Sequence, residues 1–224
     1  MDETGGVSRR DFLKAAAGGA GLGVAALAPY GLSGKPIAGP AADPATPADD
    51  APVARGETPL ALTVNGKPRE ILVEPRTTLL DALRLKLDLT GAKTVCDRGA
   101  CGACTVLLDG KPVVSCTVLA LDAAGRAVLT VEGLARSADG DMVDLHPVQR
   151  AFIEHDALQC GFCTPGFVMA TKALLDAKPA ATDDDIRHGL SGNICRCGAY
   201  MHIFEAARAA RDTMAGKEGA RWRS

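Results

Sequence analysis

Alternating apolar positions predict a small mixed sheet with one helix in the middle of the chain. Apolar and smaller residues alternate over 60–64, and the Asn-Gly pair at 65–66 is a typical hairpin turn. Residues 77–87 place four leucines on one helical face behind a threonine cap. The Asp-Gly pair at 109–110 predicts a second hairpin, and the apolar run 128–131 predicts a further strand.

The C-terminal part of the chain shows helical rather than alternating periodicity. A first helix is expected over 147–158, and a second is expected to have Thr164 as its N-cap and Pro165 as its first helical residue. Thr182, followed by three aspartates, predicts a third helix start, and a fourth helix is predicted over 203–213. Together the two halves predict an α+β fold, in which an all-α domain follows a sheet domain.

Composition and charge narrow the classes of partner. The 224-residue chain is 47% hydrophobic and 23% charged, as ordinary globular proteins are. Its formal net charge is -2, and its sequence has no basic patches interleaved with aromatic residues, so no nucleic acid is expected as a partner. The chemistry must therefore come from particular residues rather than from overall charge.

The start of the chain is predicted to be a targeting signal. Residues 8–14 read SRRDFLK, and an Ala/Gly-rich apolar run follows over 15–28. This run is too short and too rich in glycine for a membrane-spanning helix, which needs about 20 apolar residues, so no stable membrane span is expected. The segment resembles a twin-arginine export signal, which implies a periplasmic protein that folds before export. Seven prolines over 29–59 then predict an extended linker.

All eight cysteines fall between Cys96 and Cys197 in four close groups, which is typical of metal ligands. The run CDRGACGAC places Cys96, Cys101 and Cys104 at C-x4-C-x2-C spacing, and Cys116 follows at the end of the second predicted hairpin. This spacing is typical of plant-type [2Fe–2S] sites. Two glycines let the loop wrap closely around a cluster and aim its N–H groups at the sulfurs. A four-cysteine zinc site and disulfides are the two alternatives.

The second set of four cysteines combines two short motifs. QCGFCTPG contains Cys160 and Cys163, and NICRCG contains Cys195 and Cys197. A disulfide within the C-x-C pair would be strained, whereas two thiolates can share a metal cluster. The helix that starts behind Cys163 should favour its thiolate form. Zinc and, in an exported chain, disulfides stay open as alternatives, although a signal for folded cargo disfavours oxidative folding.

The three motifs in this order point to a family. CDRGACGAC with Cys116, QCGFCTPG and NICRCG resemble the small iron–sulfur subunit, or domain, of the xanthine dehydrogenase/aldehyde oxidoreductase family of molybdenum hydroxylases. The signal-like start makes the chain most similar to the periplasmic aldehyde-oxidising branch. The resemblance implies that the chain carries two [2Fe–2S] clusters and transfers electrons, with no substrate chemistry of its own.

The resemblance also implies a domain division. Residues 58–135 are expected to form a β-grasp, ferredoxin-like domain, and residues 142–214 are expected to form a four-helix bundle. The signal and linker would occupy 1–57, and a tail would occupy 215–224.

Family members further suggest which partners the chain meets. In them, the cluster of the helical domain lies next to a molybdopterin cofactor on a large subunit. Gln159 matches the family glutamine beside the pterin, and Cys197 matches the cysteine ligand closest to it. The other cluster lies towards an FAD-binding subunit or another acceptor. Electrons from the oxidation of aldehydes or related substrates would thus pass through both clusters. A zinc-binding scaffold and a free, diffusible ferredoxin are the alternative functions.

Overall fold

The computed structural model describes residues 56–135 and 145–216. The predicted targeting signal, the predicted linker up to residue 55 and the tail from residue 217 lie outside these residues. All described residues belong to one unit of the chain, Val53–Ser224.

A five-stranded mixed sheet forms the first part of this unit. Its strands are β1 (Thr58–Val64), β2 (Lys67–Val73), β3 (Thr105–Leu108), β4 (Lys111–Val114) and β5 (Ala127–Leu129). They lie in the order β2-β1-β5-β3-β4, in which β1 and β5 are parallel and the other neighbours are antiparallel. Both predicted hairpins are confirmed, and Asn65 and Asp109 adopt the left-handed backbone that their turns require.

The helix predicted over 77–87 is less regular than its pattern suggests. Thr78 caps it by accepting the Asp81 N–H at 3.1 Å, and α1 (Leu79–Asp81) continues as a π-helical stretch over Ala82–Lys86. Of the four leucines predicted to share one face, Leu79, Leu80 and Leu83 are buried in the core of the sheet, whereas Leu87 is only half-buried.

Four helices form the second part of the unit, and the α+β prediction is confirmed. They are α2 (Pro147–Glu154), α3 (Thr164–Ala177), α4 (Asp183–Gly189) and α5 (Tyr200–Met214). The cap predicted at Thr182 is present: its hydroxyl accepts the Asp185 N–H at 3.2 Å, and the Asp185 carboxylate accepts the Thr182 N–H at 2.8 Å. In the two described ranges, no helix combines the length and apolar character needed to cross a membrane.

The predicted start of α3 is wrong by one residue. Cys163, not Thr164, is the N-cap, and Thr164 rather than Pro165 is the first helical residue. The reason is that Cys163 already has a helical backbone, and its carbonyl accepts the Phe167 N–H at 3.1 Å. A cysteine of the second set therefore belongs to the first turn of a helix.

Two other helix limits also differ from prediction. α2 ends at Glu154 rather than near Leu158, and Asp156 just beyond it has a left-handed backbone with φ of 49°. α5 begins at Tyr200 rather than near Ile203.

Strand β3 lies between two hydrophobic cores. Val106 and Leu108 face the core that the sheet shares with α1, whereas Leu107 on the opposite face joins the core of the helices. All four residues of β3 are buried, since α3 packs on the face that α1 does not cover. This shared strand brings the first cysteine loop, which directly precedes it, against the start of α3.

Candidate metal centres

The first four cysteines converge at one end of the sheet. Cys96, Cys101 and Cys104 lie on the loop that leads into β3, and Cys116 lies in a 3₁₀ turn directly after β4. Three of them are buried, and Cys96 is half-buried. The antiparallel pairing of β3 with β4 returns Cys116 to the loop, as its place beside the second hairpin predicted.

Backbone groups of this loop are aimed at the sulfurs, as the glycine content predicted. The Gly99 N–H donates to Cys116 Sγ at 3.3 Å, and this requires a left-handed backbone at Gly99 with φ of 74°. The buried Ser115 hydroxyl donates to the Cys104 carbonyl at 2.7 Å and ties the two ends of the site together. Such N–H groups stabilise negative charge on sulfur.

The second four cysteines converge where three helix ends meet. Cys160 and Cys163 lie at the start of α3, and Cys195 and Cys197 lie on the loop between α4 and α5. The sulfurs of Cys160 and Cys197 are 3.3 Å apart, and the Ala199 N–H donates to Cys195 Sγ at 3.4 Å. Cys160 and Cys197 are exposed, so this site opens to the surface, unlike the first.

Burial and backbone hydrogen bonds divide the thiols by acidity. The Arg98 backbone N–H, followed by the Cys101 thiol, lowers the pKa of Cys96 to about 7. Burial raises the pKa of Cys116 to about 11 and that of Cys163 to about 12. At Cys163 burial therefore outweighs the helix terminus, which was expected to favour the thiolate. The buried thiols must lose their protons when they bind a metal.

The four sulfurs of each site lie close to one another. All eight thiols are free. Within the residues described, no three His, Cys, Asp or Glu side chains are grouped to hold a single ion. In the first set Cys96 interacts with Cys101, and Cys116 interacts with both Cys104 and Cys96. In the second set Cys160 interacts with Cys197 and Cys195, and Cys163 interacts with Cys195 and Cys160. Four cysteine sulfurs at each site, with backbone donors beside them, fit the donor set of a [2Fe–2S] cluster, whose two irons share four thiolates.

The two cysteine loops are in direct contact. The Ile194 N–H donates to the Cys101 carbonyl at 2.9 Å, and the buried Asn193 amide donates to the Gly102 carbonyl at 2.9 Å. A Cβ on Gly166 would overlap that same carbonyl oxygen and lie 3.0 Å from Ala103 Cα. The backbone between Cys101 and Cys104 thus packs against both motifs of the second set.

Sequence reasoning missed two residues of this region. Asn193 makes the contact between the loops, and the Tyr200 hydroxyl accepts the Cys195 N–H at 2.9 Å. Both flank cysteines of the NICRCG motif, but spacing alone does not show that they touch a backbone group. Gln159, which was singled out, lies exposed next to Cys160.

Comparison with known proteins agrees with this geometry. Residues 62–130 match the family described as "2Fe-2S iron-sulfur cluster binding domain", and residues 130–208 match the "[2Fe-2S] binding domain" family. The chain is 42% identical to the aldehyde oxidoreductase iron-sulfur-binding subunit PaoA of Escherichia coli O157:H7, over 89% of this chain and 86% of that protein. It belongs to the iron–sulfur subunits of the molybdenum hydroxylases.

Further relatives in this family are named for different substrates. The nicotine 6-hydroxylase small subunit of Paenarthrobacter nicotinovorans is 47% identical over 70% of this chain and 91% of its own length. In the crystal structure of quinoline 2-oxidoreductase from Pseudomonas putida 86, a chain with 42% identity matches 72% of this chain and 98% of its own, with a TM-score of 0.65. The iron–sulfur subunit described here thus has two [2Fe–2S] domains and serves an oxidoreductase.

The contact at Gly166 makes a prediction for this iron–sulfur subunit. Gly166→Ala should lower the free energy of unfolding by about 1–3 kcal/mol, as overpacking does, because the new methyl group must displace the Gly102 carbonyl. Alanine is otherwise the better helix former, so propensity predicts the opposite sign. Thermal unfolding and iron content measure the effect.

Gly192→Ala is the matched control for this change. Gly192 lies beside Asn193 on the same loop, but a Cβ there would meet nothing within 4 Å. The unfolding temperature and iron content of the Gly192→Ala variant should stay close to those of the unmodified chain. Equal stability of the two variants would contradict the close packing between the loops.

Proposed function

We propose that Cys96, Cys101, Cys104 and Cys116 hold one [2Fe–2S] cluster and that Cys160, Cys163, Cys195 and Cys197 hold the other. The convergence of four sulfurs at each site supports this division of the ligands. When bound, each cluster supplies a centre that accepts and releases a single electron. Four thiolates from each site, with backbone N–H groups beside them, match what such a cluster requires.

We further propose that electrons enter the chain at the second cluster and leave it at the first. The observation that carries this proposal is the exposure of Cys160 and Cys197, because the donor's cofactor can come closest to exposed ligands, whereas the half-buried Cys96 is the most accessible ligand of the first cluster. The Ile194 N–H donates to the Cys101 carbonyl at 2.9 Å. That hydrogen bond joins a neighbour of Cys195 to a ligand of the first cluster and gives a short bonded connection between the sites.

The proposed electron donor is a large subunit that contains molybdopterin and oxidises aldehydes or related substrates. The E. coli relative is named for an aldehyde oxidoreductase, and this supports aldehydes. Gln159 and Cys197 are proposed to lie beside the pterin, and the exposure of both is compatible with that role. The acceptor is proposed to be an FAD-binding subunit or another electron acceptor.

Exposed apolar side chains support a docking surface at the second cluster. Leu158, Phe162, Ile194 and Met201 each expose 41% or more of their surface and flank the cysteines in sequence. Apolar residues at such exposure mark interaction sites when they occur together. A large subunit that covers them would also exclude water from the second cluster.

At the level of fold, the two domains are proposed to be a β-grasp and a four-helix bundle, with boundaries at 58–135 and 142–214. The mixed sheet with α1 packed on one face supports the first assignment. A common core with buried residues from all four helices supports the second, as Phe152, Phe167 and Ile203 illustrate.

The chain is also proposed to reach the periplasm in folded form by the twin-arginine route. The SRRDFLK run and the apolar run after it support this. The similarity to the E. coli subunit covers 89% of the chain, more than the two cluster domains at 62–208, and it therefore includes a stretch before them.

The direct test is metal analysis of the natively purified complex and of two cysteine variants. The complex should contain iron, acid-labile sulfide and molybdenum, whereas a zinc scaffold would be colourless and a free ferredoxin would purify without molybdenum. Cys197→Ser should remove the signal of the second cluster and about half of the iron, and Cys101→Ser should do the same for the first. Equal loss of both signals in either variant would contradict two separate ligand sets.

The proposed docking surface predicts that a charge introduced there will weaken binding of the molybdenum subunit. Met201→Glu should weaken association with the molybdenum subunit at least tenfold, which corresponds to about 1.4 kcal/mol, because a carboxylate would be buried in an apolar contact. The molybdenum-to-iron ratio of the purified complex measures this loss.

Leu85→Glu is the matched control, since Leu85 is 75% exposed but lies on the π-helical stretch of the sheet domain. The control should retain its molybdenum. If Met201→Glu also retained molybdenum, this surface would not be the docking site.

The export proposal makes a separate prediction. Replacing Arg9 and Arg10 together by lysine keeps the charge but alters the motif, so the chain and the molybdenum subunit should both remain in the cytoplasm. Cell fractionation followed by detection of both subunits is the measurement. Export of the large subunit with this variant would argue against transport as one complex.

A further inference from the structure

Tyr200 links a ligand of the second cluster to the core of the helical domain. Its hydroxyl accepts the Cys195 backbone N–H at 2.9 Å. Its ring packs edge-on against the fully buried Phe167, with 6.2 Å between ring centroids, and tilted against Phe204 at 6.4 Å. The position of the hydroxyl is thus fixed by aromatic packing and not by the cysteine loop itself.

Cys195, whose N–H makes this hydrogen bond, is held at several points. It is the most buried ligand of the second set, and Ile194 before it donates to the Cys101 carbonyl of the first loop. The Ala199 N–H donates to its sulfur at 3.4 Å. Its own N–H, however, points to the Tyr200 oxygen, so this donor is held by a phenol instead of by sulfur.

We propose that Tyr200 is a positioning residue that sets the reduction potential of the second cluster by holding the Cys195 N–H. This proposal rests on the assignment of Cys160, Cys163, Cys195 and Cys197 as ligands of that cluster. A backbone N–H near a cluster sulfur stabilises the additional negative charge of the reduced state and raises the potential. By accepting this N–H, Tyr200 keeps the potential of the second cluster lower than its backbone would otherwise make it.

Removing the Tyr200 hydroxyl should raise the reduction potential of the second cluster, by either of two routes. In Tyr200→Phe the freed N–H turns towards sulfur, or water enters at the loop to solvate it. A buried N–H left without an acceptor is costly, so one of these must follow. Both place positive charge density near the cluster, and both therefore raise its potential.

The test is a redox titration of the full complex, in which the electron paramagnetic resonance signals of the two clusters are measured at each potential. Tyr200→Phe keeps the ring and its packing. It should raise the potential of the second cluster alone. The ratio of reduced second cluster to reduced first cluster should then rise about threefold or more. At 59 mV per tenfold for one electron, threefold corresponds to about 28 mV.

Ser191→Ala is the matched control for loss of a hydroxyl. Ser191 lies on the same loop, but its hydroxyl donates to the His188 carbonyl at 2.7 Å, away from the cysteines. Both potentials should stay unchanged in this variant. A merely structural role of Tyr200 would change the unfolding temperature and leave the potential where it was.

Phe204→Leu is a second variant, needed if Tyr200→Phe fails to load the second cluster. It keeps the hydroxyl but loosens the ring that carries it, so the potential should rise by less than in Tyr200→Phe. The proposal is overturned if Tyr200→Phe loads both clusters at unchanged potentials. It is equally overturned if Tyr200→Phe loses the second cluster and Phe204→Leu leaves its potential unchanged.

Failure of the ligand assignment would look different. In that case the unmodified complex would itself lack two [2Fe–2S] signals, before any variant is compared. Two signals in the unmodified complex, together with an unshifted Tyr200→Phe, would leave the assignment intact and reject the role of Tyr200 alone.

Discussion

Two neighbouring carbonyls, those of Cys101 and Gly102, hold the two metal sites in one structure. The first accepts the Ile194 N–H, and the second accepts the Asn193 amide, each at 2.9 Å. This approach is possible because neither Gly102 nor Gly166 has a Cβ. The sulfurs of the two sites come from different secondary structures, but the backbone segments that carry them are in direct contact. The contact therefore fixes the two loops relative to each other, although each set of four sulfurs remains separate.

The contact between the two loops also explains why the two sites differ in exposure. The first loop lies between the sheet and the start of α3, so three of its cysteines are buried. The second set lies at helix ends on the other side of the contact, where Cys160 and Cys197 reach the surface. A buried site and an exposed one, joined by two hydrogen bonds between their loops, fit the proposed electron path, in which the exposed ligands receive electrons from a partner.

Local features of the fold were predictable from the sequence, whereas contacts between distant segments were not. The hairpin turns and the Thr182 cap depend on residues within four positions of one another, and the sequence shows them directly. The eight cysteines were recognisable because their spacing is itself the signal. The start of α3 and the Asn193 contact depend on which loop packs against which helix, and no periodicity in the sequence encodes that. Likewise, the burial of Leu107 on the second face of β3 follows only from α3 lying there.

The same limit applies to the electronic properties of the sites, since residues outside the ligand set determine where the backbone N–H groups point. At the first site the Gly99 N–H reaches Cys116 Sγ at 3.3 Å, and a left-handed glycine directs it there. At the second, the Cys195 N–H is turned away from sulfur towards Tyr200. One backbone N–H reaches a sulfur at each site, from Gly99 at the first and from Ala199 at the second, so the Cys195 N–H is a further donor that Tyr200 keeps from the second. At each site a residue that is not a ligand, Gly99 at the first and Tyr200 at the second, thus determines where a backbone N–H points.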